Sequence, residues 1–112
     1  MSVFDKHGPG EVRRALFGGR GEVKVWNLGA NLPPFSAVLG CELSAGGSVG
    51  RHQQQQDPEL IIGLSGRGKA RVDGREFPLA AGEVVRLPLG AVLEIENEAT
   101  DVLSYLIVKA RI

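Results

Sequence analysis

The chain has 112 residues and a mass of 11.9 kDa, the size of a single domain with a small hydrophobic core. Its 13 basic and 13 acidic residues cancel, so no net positive field would attract nucleic acid or anionic lipid. One cysteine excludes an intramolecular disulfide framework. No apolar run approaches the roughly 20 residues that span a bilayer, and the start lacks a secretory signal. The sequence therefore predicts a soluble, cytoplasmic protein that binds neither nucleic acid nor membrane.

The first part of the chain carries the weakest structural signal. The first 20 residues are expected to form an N-terminal arm before a single barrel domain at residues 21–112. Within the arm, residues 10–17 (GEVRRALF) are compatible with a short helix, because Val12 and Leu16 lie four positions apart. A loop is an equally good interpretation, since glycines flank this segment.

From residue 22 onward, alternation of apolar and polar side chains predicts a series of short strands. Glycines and prolines separate them at the spacing typical of all-β sandwiches and barrels. Asp73 and Gly74 form the dipeptide that most strongly indicates a type I′ hairpin turn. About eight strands with hairpins between neighbours predict an all-β fold, a small antiparallel β-barrel or jelly roll. The segments with the clearest strand signal are residues 22–28, 36–43, 59–64, 69–72, 75–79, 92–97 and 102–108.

The directions in which the side chains of two predicted strands point are important for function. Leu93 and Ile95 alternate with Glu94 and Glu96, so Leu93 is expected to point into the barrel. Cys41 lies on an apolar strand face and is expected to be a small buried hydrophobe rather than a nucleophile.

Glycine, histidine and glutamate residues stand at a characteristic spacing between Gly46 and Gly66, with His52, Gln54 and Glu59 between them. This pattern resembles the first of the two sequence motifs of the cupin superfamily. Gln54 stands where that motif has its second histidine. The resemblance implies the cupin fold, a double-stranded β-helix.

A second group of residues matches the second cupin motif. Gly82, Pro88, Gly90 and Asn97 stand at its spacing, but Leu93 takes the place of its histidine. Both departures from the family pattern therefore fall on positions that bind metal in cupins with an intact site.

The resemblance implies two alternatives for these positions. In one, His52, Gln54 and Glu59 hold a divalent ion weakly, with manganese, iron, nickel and zinc as the candidates. In the other, the same three side chains form a hydrogen-bonded polar cluster that lines a metal-free pocket.

Three functions follow from these alternatives. The leading prediction is a pocket that binds a small organic molecule through His52, Gln54 and Glu59, with Leu93 and Tyr105 beside them. His52 and Glu59 are the candidates for acid–base chemistry in such a pocket. The second is a metal-dependent cupin enzyme of the dioxygenase, isomerase or lyase type. The third is a barrel with a purely structural or partner-binding role.

A homodimer is also expected. Leu60, Ile62 and Leu64 should face away from the barrel interior, and a chain this small has little else to cover them. The resemblance to small cupins points to the same association.

Overall fold

The computed structural model describes residues 3–29 and 32–111, and the regular secondary structure of these residues is almost entirely antiparallel strands. One 3₁₀ turn, Leu16–Gly18, lies between the first two strands. The strands are β1 Glu11–Arg14, β2 Glu22–Asn27, β3 Phe35–Leu43, β4 Ser48–Gln53, β5 Glu59–Ser65, β6 Arg67–Val72, β7 Arg75–Ala80, β8 Val84–Leu87, β9 Val92–Glu96 and β10 Leu103–Ala110.

The strands form two sheets that face each other. One has six strands in the order β1-β2-β3-β10-β5-β8, and the other has four in the order β4-β9-β6-β7. Alternate side chains of both sheets point into the space between them and form one buried cluster. The predicted antiparallel jelly-roll barrel is therefore confirmed. Among the largest fully buried side chains of the described chain are Tyr105, Leu43, Ile61, Leu79, Leu87, Leu93, Ile95 and Leu103.

The hairpin between β6 and β7 forms where the sequence predicts it. Asp73 and Gly74 both have positive φ, at 51° and 82°, as a type I′ turn requires. The Asp73 carboxylate also accepts a hydrogen bond of 2.9 Å from the backbone N–H of Val92, which ties the turn to β9.

The helix considered for residues 10–17 does not form. Glu11–Arg14 instead pairs with β2, in a register that places Arg13 opposite Val23. Gly10 and Gly18 have positive φ, at 78° and 80°, and so interrupt helical geometry at both ends. The free edge of β2 offers every β1 residue a strand partner, whereas a helix this short would bury only two apolar side chains.

Residues before β1 cover part of the outer face of the six-stranded sheet. The Trp26 indole donates a hydrogen bond of 3.0 Å to the carbonyl of Gly8, and its ring centroid lies 5.6 Å from that of Phe4. The Lys6 ammonium lies 4.8 Å from the Trp26 ring centroid. The start of the chain therefore shields Trp26, which is buried although it points away from the barrel interior.

Farther along the same outer face, apolar side chains are partly exposed. Leu60 is 40% exposed and Val84 45%, while Ile62 and Leu64 are half-buried. Their orientation agrees with the sequence, and the homodimer stays a prediction. In the described part of the chain, no helix is long and apolar enough to cross a membrane.

If a second copy covers this face, a charge placed on it should weaken association. We expect the native protein to sediment with about twice the monomer mass at high concentration, and Leu60→Lys to weaken the dimer at least about tenfold, because burying an unpaired ammonium is costly. Leu89→Lys is the matched control, since Leu89 is 43% exposed but lies in the loop before β9. A native protein that remains a monomer at every concentration in analytical ultracentrifugation would contradict the dimer.

Candidate functional site

A cavity of about 130 Å³ lies between the two sheets. The six-stranded sheet supplies most of its wall, the four-stranded sheet adds Val49, His52 and Ile95, and the 3₁₀ turn adds Leu16 and Phe17. The side chains from the six-stranded sheet are Arg13, Val23, Val25, Leu39, Cys41, Glu59, Tyr105, Ile107 and Lys109.

Strand β10 contributes three of these side chains because they alternate along it. Tyr105, Ile107 and Lys109 share its inner face, between β3 on one side and β5 on the other. Tyr105 is fully buried, and burial raises the pKa of its hydroxyl well above the usual value. It is therefore a neutral hydroxyl in the cavity wall.

Cys41 behaves as the sequence predicts. It is buried, and burial raises the pKa of its thiol to about 12, although Arg13 and Lys109 act in the opposite direction. Since the thiolate is the nucleophilic form, Cys41 is an inert part of the wall at neutral pH.

His52 is held in one orientation by its neighbours. Its Nδ1 lies 2.9 Å from the carbonyl oxygen of Gly50, so Nδ1 carries the proton that is donated, and Nε2 is the free acceptor of the neutral ring. The Phe17 ring stacks on the imidazole, with centroids 4.0 Å apart and planes 13° from parallel. This close fit depends on Gly50, because a Cβ there would overlap the carbonyl of Phe17.

Glu59 lies on β5 and is buried at the cavity wall. Burial raises the pKa of its carboxyl, while Lys109, His52 and Gln54 partly offset this effect. Lys109 is its cross-strand neighbour, with Nζ 3.6 Å from the Glu59 Oε2. The site thus contains a carboxyl group that takes up a proton more readily than an exposed glutamate does.

Gln54 and Leu93 are buried but are not part of the cavity wall. The Gln54 Nε2 donates a hydrogen bond of 2.6 Å to the backbone carbonyl of Asp57. Strand β4 ends at Gln53, so Gln54 lies one residue beyond the strand, where it remains a hydrogen-bonding neighbour of Glu59. Leu93 pairs directly with His52 across β4 and β9 and lies in the apolar core at 2% exposure.

These positions do not fit a resident divalent metal ion. Within residues 3–29 and 32–111, no three His, Cys, Asp or Glu side chains form a group that could hold one. Leu93 offers no donor atom, Gln54 turns its amide nitrogen to a backbone carbonyl and to Glu59, and the Lys109 ammonium already lies beside the Glu59 carboxylate. Metal binding by His52, Gln54 and Glu59 therefore stays a prediction.

Two cations of the cavity wall are absent from the motif-based prediction. Lys109 lies on the same face of its strand as Tyr105, which is four residues before it. Extending the predicted strand at residues 102–108 by one residue would therefore have predicted that Lys109 points into the cavity. Arg13 enters the wall only because β1 forms, and a helical arm would not place it there.

Comparison with known proteins agrees with this architecture. The family model of the cupin domain matches residues 41–109, and the chain belongs to this family. No curated protein sequence matches the chain.

Solved structures extend the likeness over most of the chain. A Thermotoga maritima protein described as a predicted oxalate decarboxylase is 28% identical, with 91% of each chain covered and a TM-score of 0.84. A cupin 2 conserved barrel domain protein from Salinispora arenicola is 27% identical, with 79% of this chain and 75% of that chain covered and a TM-score of 0.67. The cupin domain of Schizosaccharomyces pombe Cnp3, at 18% identity and a TM-score of 0.75, covers 91% of this chain and 69% of that chain and shares the fold.

The raised pKa of Glu59 predicts a pH-dependent effect of Glu59→Gln. The folded protein binds the Glu59 proton more tightly than the unfolded chain does, so this group's contribution to stability is complete below the unfolded pKa and is lost as pH rises through the folded pKa. Glutamine cannot ionise. The melting temperature of Glu59→Gln minus that of the native protein should therefore grow by a few degrees as pH rises from about 4 to 8.

Differential scanning calorimetry across this pH range measures that difference directly. A difference that stays constant, or that shrinks as pH rises, would show that the Glu59 carboxylate is not disfavoured in the folded protein.

Proposed function

We propose that the barrel cavity binds a small organic molecule directly through side chains of the protein. The observation that carries this proposal is the composition of the cavity wall. Apolar side chains form most of it, and the polar groups come from Arg13, His52, Glu59, Tyr105 and Lys109. Ligand pockets typically have this makeup, an apolar enclosure with a few polar groups that fix the ligand's orientation.

The volume of the cavity suits a small ligand. A cavity of roughly 150 Å³ in another protein holds benzene, so about 130 Å³ suits a molecule of about six non-hydrogen atoms. At the ceiling of about 1.5 kcal/mol per atom, such a ligand would reach at most about micromolar affinity. Screens therefore need ligand concentrations in the millimolar range.

Each polar group has a defined role in this proposal. His52 Nε2 can accept a hydrogen bond from a ligand that carries a donor, and Lys109 can donate one to a ligand oxygen. Glu59 donates when it is protonated and accepts when it is not. This pair of titratable groups in one cavity would also support proton transfer to or from a bound molecule, which is the acid–base role that the sequence suggests for His52 and Glu59.

A thermal-shift screen with a cavity-filling variant tests the proposal. The panel holds neutral, anionic and cationic molecules of about four to eight non-hydrogen atoms, and it includes oxalate because a similar protein is described as a predicted oxalate decarboxylase. A ligand at ten times its dissociation constant should stabilise the folded protein by about 1.4 kcal/mol, which raises the melting temperature by several degrees.

Two substitutions on β10 separate cavity binding from surface binding. Ile107→Phe fills the cavity and should abolish the stabilisation, whereas Val108→Phe, on the other face of the strand, should preserve it. The proposal fails if no molecule in the panel stabilises the native protein, or if the stabilisation persists in a folded Ile107→Phe variant.

A further inference from the structure

The charged groups of the cavity wall point to the class of ligand. Arg13 and Lys109 are the cations of the wall, and Glu59 is its single carboxyl group. Counted over the lining side chains alone, the wall carries a net positive charge whether Glu59 is ionised or protonated, although Glu11 outside the wall pairs with Arg13 and offsets part of its charge. A positive site of this kind favours an anion over a neutral molecule of the same shape.

Lys109 retains the capacity to bind another group. Its Nζ lies 3.6 Å from the Glu59 Oε2, beyond the range of roughly 2.7–3.2 Å of a direct N–H···O hydrogen bond. Its side chain is 32% exposed, so water reaches part of it. The ammonium group therefore has hydrogens that a ligand oxygen can accept, while its charge is only partly shielded by solvent.

Arg13 adds positive potential but is a weaker candidate for direct contact. Its Nε and Nη2 donate to the Glu11 carboxylate at 3.1 and 3.2 Å, which commits one edge of the guanidinium. Both Arg13 and Lys109 act on the buried Cys41 thiol by lowering its pKa against the larger effect of burial. The field of both cations thus reaches the interior of the cavity.

The apolar side chains of the wall determine the chemical character of the rest of the ligand. Val23, Val25, Val49, Ile95 and Ile107 surround the cavity with hydrocarbon. Burying a second charged group against these side chains would leave it without hydrogen-bond partners. A molecule that fits has one charged end and one compact apolar end.

We infer that the ligand is a small monocarboxylate, whose carboxylate binds the Lys109 ammonium and whose apolar body packs against the valine and isoleucine side chains of the cavity. This inference rests on the proposed function, because it assigns a ligand class to the same cavity. Lys109 supplies the positive charge that the ligand carboxylate contacts.

Glu59 has a distinct part in this arrangement. As a carboxylate it competes with the ligand for Lys109, and as a protonated acid it donates a hydrogen bond to the ligand carboxylate. Replacing it with glutamine removes the competing charge and keeps a donor. If Lys109 served only to neutralise Glu59, the same replacement would leave Lys109 without a role and would create no site for an anion.

The test compares isobutyrate with isobutyramide, two molecules of the same shape that differ in charge at neutral pH. We expect isothermal titration calorimetry to show isobutyrate binding the native protein at least about tenfold more tightly, since a charge-assisted hydrogen bond forms only with the carboxylate. Lys109→Met should reduce this ratio to about one, Lys109→Arg should largely restore it, and Glu59→Gln should maintain or increase it. Oxalate should bind more weakly than isobutyrate.

Lys69→Met is the control. Lys69 lies on β6 of the four-stranded sheet, pairs with Glu98 and does not line the cavity. It should leave the ratio unchanged. Equal binding of isobutyrate and isobutyramide, or a preference that survives in Lys109→Met, would overturn the monocarboxylate inference and leave cavity binding intact. Failure of these two ligands and of every molecule in the wider panel would instead overturn the proposed function.

Discussion

The site depends on the pairing of β10 with a strand on each of its edges. Because β3 and β5 hold its backbone on both sides, the side chains of β10 must alternate between the cavity and the outer face. Tyr105, Ile107 and Lys109 consequently enter the cavity as one row, and Lys109 comes to lie across from Glu59. A shift of one residue in this register would remove the hydroxyl, the aliphatic wall and the ammonium from the cavity together.

Two substitutions relative to the cupin motifs change the chemistry of the barrel. Leu93 extends the apolar core at the position directly opposite His52, and Gln54 bonds a backbone carbonyl beyond the end of β4. What remains is one imidazole and one carboxyl group, with an ammonium beside the carboxyl. The cavity wall of this chain thus combines charged and hydrogen-bonding groups with apolar side chains, and the cupin fold by itself does not determine an activity.

The sequence predicts the fold better than it predicts the site. The alternation of apolar and polar residues and the Asp73-Gly74 turn are local features of the sequence. They are sufficient to predict the strands and the inward orientation of Leu93. The strand at Glu11–Arg14 depends instead on the free edge of β2, which no local pattern reveals. Gln54 lies one residue beyond the end of β4, where alternation no longer fixes the orientation of a side chain, so the strand pattern alone cannot place it.

The metal content of the native protein tests the central claim most directly. Untagged protein is purified without chelator, dialysed against manganese, iron, nickel or zinc, and measured by elemental analysis, with Leu93→His as the positive control. Because Leu93 lies opposite His52, the new imidazole should raise metal affinity by about tenfold or more. We predict far less than one metal ion per native chain. Near-stoichiometric metal in the native protein that disappears in His52→Ala would contradict the account.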